Sequence, residues 1–273
     1  MGDNAPNPDW SPMLSTAAHP PVDPRIDLLI GIDDTDNLDT RGTGYRARTL
    51  AQGLADAGLA EVLGITRHQL LVDPRIPYTS HNSSACLQTR ALGTHAQIHT
   101  YCRQFLLEVA AVGADIGLCL ASVEAAARVV DYGLRAKTEV LNRDIARATA
   151  AQAGILLEGL TGTHGGIIGS LAGVGLYVQG DDGRYIWLPR IRELAEDTLT
   201  VAALCGETGL QDVMEFEGER AGAAATREAV IDLGGWARPV RVAGRSVLFV
   251  EKHHHGSVDY VVADKRRIKA YRP

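Results

Sequence analysis

The residues that decide the fold are "IDLLIGIDDTDNLDTRGTGY", 26–45. Within residues 31–45 the chain packs four aspartates, four hydroxyl side chains and three glycines. "IDLLIGI" (26–32) is apolar apart from Asp27 and Gly31, which predicts a strand largely buried on both faces. From Tyr45 the pattern changes. Ala47, Leu50, Ala51 and Leu54 recur at intervals of three and four, and Gly58 follows as a stop, which predicts an amphipathic helix. The reading is strand, acidic and glycine-rich loop, helix.

The loop concentrates like charge. Asp33, Asp34 and Asp36 fall within four residues. At strand spacing Asp34 and Asp36 share a face. Two carboxylates about 4 Å apart repel by about 4 kcal/mol at an effective dielectric near 20. A divalent cation offsets that repulsion, and carboxylates with water suit Mg²⁺. Otherwise one acid holds a proton, or the side chains splay into water. Gly42, Thr43 and Gly44 then permit a tight turn at a helix N-terminus, which favours an anion such as a phosphate. The alternative is that these Asp and Thr residues are ordinary turn and capping residues. No lysine completes a Gly-Lys-Ser/Thr ending, so this is not a standard P-loop.

Outward from the loop, residues 1–25 hold six of the eleven prolines and no apolar periodicity, and read as a mobile leader. "AEVLGITRHQLLV" (60–72) reads as a strand, "DPRIPYTSHNSS" (73–84) as a loop and "ACLQTRAL" (85–92) as a strand. A helix is expected over 95–110 and a strand in "DIGLCLAS" (115–122). Residues 122–153 form the longest helical stretch, with Asn142 capping a second helix inside it. Residues 163–179 are glycine-rich, then apolar, and "RYIWLP" (184–189) is a strand. The remainder suggests short strands with a basic finish. There is no internal repeat. Strands alternating with helices give an α/β or α+β class.

The length of 273 residues suits one large domain or two ordinary ones, and a hydrophobic fraction of 45% supports a buried core. A formal net charge of −6 argues against a surface coated for nucleic acid. Cys86, Cys102, Cys119 and Cys205 have neither zinc nor disulfide spacing, and read as reduced, mostly buried thiols of a cytoplasmic protein. No apolar run approaches the roughly 20 residues of a membrane span, and no signal peptide is evident.

"GIDDTDN" followed by "GTGY" resembles the opening of the archaeal agmatinylcytidine synthetases that modify an isoleucine tRNA. "IPYTSHNSSACL" resembles that family's proline-then-T-R-G-N-G-A segment, keeping Thr79 and Asn82. "DYGLRAKTEVLNRDIARATA", then "GGIIGSLAGVG", resembles its paired helices and glycine-rich helix start. The three blocks run from about residue 28 to 178. The resemblance implies a kinase-like ATP-binding domain (26–121), an adjoining ferredoxin-like domain (122–200) and a C-terminal extension (201–273). It implies ATP and Mg²⁺ as cofactors, with Asp33, Asp34 and Asp36 on the metal and orienting the γ-phosphate. Thr43 takes the threonine position where phosphate chemistry occurs. Gly42, Gly44, Thr79, Asn82, Gly165, Gly166, Gly169 and Ser170 complete the pocket.

The family activates the C2 carbonyl oxygen of a cytidine by phosphorylation, and agmatine then displaces the phosphate. This chain departs from the family at Ser80, where the family has arginine, and at His81, where it has glycine. A second arginine gives way in the "THGG" region, near His164. The family's OB-like and zinc-ribbon domains have no counterpart here. The expectation is therefore an ATP- and Mg²⁺-dependent phosphotransferase or ligase acting on a small or nucleotide-like substrate. The alternatives are a non-catalytic nucleotide-binding accessory protein, and a tRNA-modifying enzyme whose RNA is held by a partner. A homo-oligomer or a partner subunit is compatible with either.

Four other features have their own readings. The glycines of "GGIIGS" (165–170) either cradle a second anion or allow close helix–sheet packing. "KHHHG" (252–256), with His253, His254 and His255, reads as an exposed turn between hairpin arms rather than a metal site. Trp187 and Trp236 read as core anchors or base-stacking platforms. Glu207, Asp212, Glu215, Glu217 and Glu219 read as a solvated face, and "DKRRIK" (264–269) as a solvated basic end that could hold an acidic substrate or partner.

Overall fold

The computed structural model describes residues 20–77, 81–217, 220–253 and 256–270. The first half runs β1 (Leu28–Asp33), α1 (Thr43–Asp56), β2 (Ala60–Gln69), β3 (Ser83–Ala91), α2 (His95–Glu108) and β4 (Gly117–Ser122). Three short helices follow: α3 (Val123–Ala127), α4 (Val130–Arg135) and α5 (Arg143–Ala153). Then come β5 (Leu156–Gly159), α6 (Ile167–Gln179) and β6 (Arg184–Trp187). The last part holds β7 (Thr198–Thr200), α7 (Val201–Thr208), β8 (Asp212–Glu217), β9 (Arg220–Ala224), β10 (Val230–Asp232), β11 (Val240–Val242), β12 (Arg245–Lys252), β13 (Tyr260–Val262) and α8 (Lys265–Ala270).

The strands form one large mixed sheet with helices packed on it, so the class is mixed α/β. Its first part has the order β5-β4-β1-β3-β2-β6, with every pairing antiparallel. From β1 to β4 the connectivity is β-α-β-β-α-β with β1 between β4 and β3, the split β-α-β arrangement. β1 is therefore central. Leu28, Ile30 and Ile32 pack with Leu50 and Leu54 of α1 on one face, and Leu29 packs with Leu171 and Val174 of α6 on the other. This is the strand buried on both faces that its composition predicts. The sheet continues through residues 122 and 200 without a break, as β5 pairs with β4 and β6 with β11.

α6 is apolar all round, and from Ile167 to Val178 all but Ile168 are buried. Such a helix needs protein on every side. It lies so close to the sheet that a Cβ on Gly31 would fall 2.1 Å from the Ser170 carbonyl oxygen. The approach fixes α6 against the end of β1, where the acidic loop begins.

The helical stretch expected over 122–153 is broken into three. Ser122 caps α3 through the Ala125 N–H, and Asn142 caps α5 through the Ile145 N–H at 2.9 Å, as its residue type predicts. Between them the chain leaves helix at Val129 and again after Arg135. The acidic stretch after 207 is also corrected. It contains β8, and Glu215 is buried, accepting from Tyr260 Oη at 2.7 Å and pairing with Lys252 at 3.0 Å. Glu219 lies outside the described residues. The hairpin around "KHHHG" is present, since β12 and β13 pair antiparallel with Lys252 opposite Tyr260. His254 and His255 lie outside the described residues. α8 is not wholly solvated, because Ile268 is buried and Arg267 pairs with Glu251. Among the described residues no helix is long and apolar enough to cross a membrane. Cys86, Cys102 and Cys119 are buried free thiols, and burial pushes Cys86 and Cys102 up to about 12.

Candidate functional site

The acidic loop leaves β1 at Asp33 and enters α1 at Thr43. Asp34 has φ 51°, in the left-handed region where aspartate is enriched among non-glycine residues. This turn splits the acids. The Asp33 carboxylate reaches the first turn of α6, where a Cβ on Gly169 would fall 1.8 Å from its Oδ2. Desolvation, reinforced by the Asp34 charge, pushes Asp33 up to about 7. Desolvation and the Asp115 charge push Asp34 up to about 6. Asp36 goes the other way along the loop. Its Oδ1 accepts from the Thr43 N–H at 2.9 Å and from Thr43 Oγ1 at 2.7 Å, while Thr35 Oγ1 donates to Thr43 Oγ1 at 3.1 Å.

Two sequence readings thus coexist in one loop. Asp36 accepts the N–H of Thr43, the first residue of α1, an ordinary capping role, while Asp33 and Asp34 are crowded carboxylates whose pKa values burial raises. Among the described residues no three acidic, histidine or cysteine side chains converge closely enough to hold a metal by protein ligands alone.

The remaining expected residues are distributed unevenly. Gly42, Thr43 and Gly44 line a cavity at the N-terminal end of α1, with Asp36 on its wall. Thr79 and Ser80 lie outside the described residues, whereas His81 lines that cavity. Asn82 stabilises the β2–β3 connection: its Nδ2 donates to the Leu71 carbonyl at 2.6 Å, and its own carbonyl accepts from the Leu70 N–H at 2.8 Å. Gly166 and Gly169 lie at close approaches, whereas a Cβ on Gly165 would have Asp115 Oδ2 as its nearest neighbour at 3.2 Å. A Cβ on Gly166 would sit 2.5 Å from both the Asp115 carbonyl oxygen and the Gly117 nitrogen. Ser170 is buried and donates to the Ile167 carbonyl at 3.3 Å. His164, near the place of the replaced arginine, has Arg147 Nη2 3.4 Å from its Nδ1, and Arg143 donates to the neighbouring Thr163 carbonyl. Trp187 and Trp236 are packed against apolar clusters.

The cavity at α1 has a volume of about 320 Å³ and is walled by four arginines that spacing does not reveal: Arg48, Arg67, Arg192 and Arg238. They come from α1, β2, the segment after β6 and the segment before β11. None of the four forms an ion pair among the described residues. Desolvation lowers the pKa of Arg48, with the Arg192 and Arg238 charges adding to it. Arg67 is lowered by desolvation and by Arg238, and Arg238 by desolvation and by Arg192. These guanidiniums crowd one another around a space, an arrangement that an anion with several oxygens relieves. The Thr43 N–H is already taken by Asp36, so side chains rather than the backbone turn carry most of the positive charge offered to a ligand.

No protein-family model matches this chain, and no curated protein matches it. Among solved structures the chain is similar to TiaS in a complex with its isoleucine tRNA and ATP, at 23% identity and a TM-score of 0.49, covering 55% of this chain and 36% of that one. It is similar to apo TiaS, an agmatidine synthetase acting on that tRNA, at 22% identity and a TM-score of 0.49, covering 55% of this chain and 35% of that one. A structure of a tRNA fluorescent labeling enzyme matches at 23% identity and a TM-score of 0.49, over 55% of this chain and 36% of that one. The chain spans about a third of the length of these proteins.

Proposed function

We propose that this chain is an ATP-dependent phosphotransferase or ligase that activates an oxygen of a small or nucleotide-like substrate. The observation that carries the proposal is the cavity at α1, with Asp36 on the wall and four arginines that form no ion pair among the described residues. A triphosphate is the common metabolite group whose charge and oxygen count suit four guanidiniums. Phosphoryl transfer asks mainly for positioning and charge neutralisation, and such a cavity supplies both.

In this reading Arg48, Arg67, Arg192 and Arg238 hold the phosphates. Thr43 lines the cavity and is oriented by its bonds to Asp36. Asp33 and Asp34 fit Mg²⁺ by donor type, because that ion is commonly bound by one or two carboxylates plus phosphate oxygens and keeps several waters. A bound Mg²⁺ would supply charge neutralisation for the phosphate group. Residues 26–121 contribute the acids and two arginines. Residues 122–200 contribute Arg192 and the glycine-rich helix start that backs Asp33, and residues 201–273 contribute Arg238. Agmatine or another amine is a further candidate co-substrate on the resemblance alone, as is a tRNA presented by a partner.

A second reading is a nucleotide-binding accessory protein without turnover. It is favoured by the commitment of Asp36 to Thr43 and by the lack of a three-carboxylate cluster among the described residues. The deciding experiment mixes the protein with ATP and Mg²⁺ and follows binding, phosphate release and protein phosphorylation, beside Asp34→Asn and Arg67→Ala. The enzyme reading expects Arg67→Ala to weaken ATP binding by about 10- to 100-fold and Asp34→Asn to bind ATP but lose turnover. Tight ATP binding with no turnover on any acceptor selects the accessory reading, and no ATP binding at all overturns both. A shift of labelled tRNA at low salt would support the RNA-directed variant.

A further inference from the structure

The buried apolar residues fall into two sets that share no member. One set comes from residues 26–178 and the other from residues 185–268. The joint between the two parts is β6. Its Tyr185 is buried in the C-terminal set, whereas Ile186 and Trp187 pack against the first. β6 pairs with β2 through a register shift, and with β11 only where Val240 faces Arg184. Around that pair the Tyr185 N–H donates to the Pro239 carbonyl at 2.8 Å, the Arg241 N–H to the Gly183 carbonyl at 2.9 Å and the Gly244 N–H to the Gly180 carbonyl at 3.0 Å. The Arg241 side chain adds a bond to the Tyr177 carbonyl at 2.7 Å, one of the orphan acceptors at the end of α6. A joint this short opens at lower cost than the cores on either side of it.

The arginine cavity at α1 straddles the joint. Arg48 follows Ala47 on α1, and Arg67 lies two residues from Ile65 on β2, with Ala47 and Ile65 both buried in the first part. Arg192 lies between Ile191 and Leu194, both buried in the C-terminal set. The Arg238 guanidinium stands 5.3 Å over the Trp236 ring, which packs on that same part. Each part thus contributes two guanidiniums. The charges of Arg192 and Arg238 bear on Arg48, and that of Arg238 bears on Arg67. The repulsion therefore acts across the joint, against the bonds that close it. An anion with oxygens on both sides turns it into attraction, because every guanidinium can then donate to the same group.

On the reading that this cavity takes the phosphates of ATP, we infer that the bound polyphosphate clamps the two parts of the chain together. Its oxygens are shared between Arg48 and Arg67 on one side and Arg192 and Arg238 on the other. They close the joint at β6, which opens more readily in the empty protein. Nucleotide binding and docking of residues 185–268 are then one coupled event.

The test is amide hydrogen exchange of the full chain with and without ATP, with calorimetry on the same samples to read binding. Opening the joint separates the arginines, so ATP at tenfold excess over its Kd should slow exchange there by about tenfold. The reporters are the amides of Tyr185, Arg241 and Gly244. None of these residues lines the cavity, so contact with the nucleotide does not shield them. Amides of the β1–β3 and β8–β12 pairs, inside the two parts, should change little. Inorganic tripolyphosphate should act as ATP does. Arg238→Ala removes one repulsion across the joint. Without ligand its reporters should exchange about 2- to 5-fold more slowly than the parent's, whereas a residue that only packs would give faster exchange when removed. ATP that binds without slowing the reporters, or slows them no more than the β1–β3 and β8–β12 amides, overturns the clamp and leaves the nucleotide site standing. So does Arg238→Ala with reporters as fast as the parent's or faster. No binding of ATP overturns the site itself, and the clamp with it.

Discussion

Asp33 carries a direct consequence for pH. Its carboxyl is raised from 3.8 to about 7 in the fold, so between those values the folded chain binds more protons than the unfolded one. Stability from this group is therefore fully present below about pH 4 and lost as pH rises through about 7. The full shift corresponds to about 4 kcal/mol as an upper bound. Asp33→Asn removes this group's contribution, so its stability should fall less steeply than the parent's over that window, where Asp34 still titrates, and at pH 8 it should exceed the parent. Urea unfolding at pH 5 and pH 8, each with and without Mg²⁺, checks this. The cation should stabilise the parent at pH 8 and leave the variant nearly unmoved. Equal pH slopes for the two proteins would mean that Asp33 is ionised throughout. The loop's acidity was plain from composition, and so was its tension. Which acid holds the proton was not, because that depends on Gly169 and Asp115, brought to the loop by the fold.

At the scale of elements, the contact between β1 and α6 sets the geometry of the loop. Gly31→Ala would drive a Cβ to 2.1 Å from the Ser170 carbonyl oxygen, 3.0 Å from its carbon and 3.1 Å from Val174 Cγ1. Two of those atoms are helix backbone, so the whole of α6 must move. A loss of about 3 kcal/mol or more is expected in urea unfolding. Gly206→Ala is the matched control: it sits within α7 with open space around its Cβ, and should gain up to about 1 kcal/mol. Similar losses at both sites would show that the close approach of α6 does not matter. This contact also marks what the chain reveals by itself. β1 and α1 were legible because long apolar patterns with opposite periods meet at an acidic loop. β5, β7 and β10 were not. They are three or four residues long, and they exist by pairing with neighbours rather than by their own alternation. The break of 122–153 into three helices was hidden for a related reason. Neither a proline nor a glycine pair marks the ends of α3 and α4.

At the scale of the whole molecule, the cavity at α1 depends on residues far apart in the chain. Arg48 and Arg67 belong to the opening β-α-β, whereas Arg192 and Arg238 arrive from beyond β6. No spacing rule joins positions 48, 67, 192 and 238. The sequence instead directed attention to two family arginines that this chain lacks, and the fold supplies four guanidiniums from other positions. Such an arrangement works against the empty protein and in favour of the loaded one. Desolvation and, after it, mutual repulsion lower the pKa of Arg48, Arg67 and Arg238, so removing one charge should leave the apo protein as stable or slightly more so. It should also weaken triphosphate binding by about 10- to 100-fold, the worth of a charge-assisted hydrogen bond in a partly desolvated site. Arg238→Ala is the informative choice, because Arg238 is exposed and its removal opens no hole in the core. Calorimetric titration with ATP across a range of salt, with Tm recorded in parallel, reads both quantities. The parent should lose affinity steeply as salt rises, and Arg238→Ala should lose it less steeply, since one contact that salt screens is gone. Unchanged affinity in Arg238→Ala and Arg67→Ala alike would detach the arginine cluster from nucleotide binding and leave the acidic loop without a phosphate to serve.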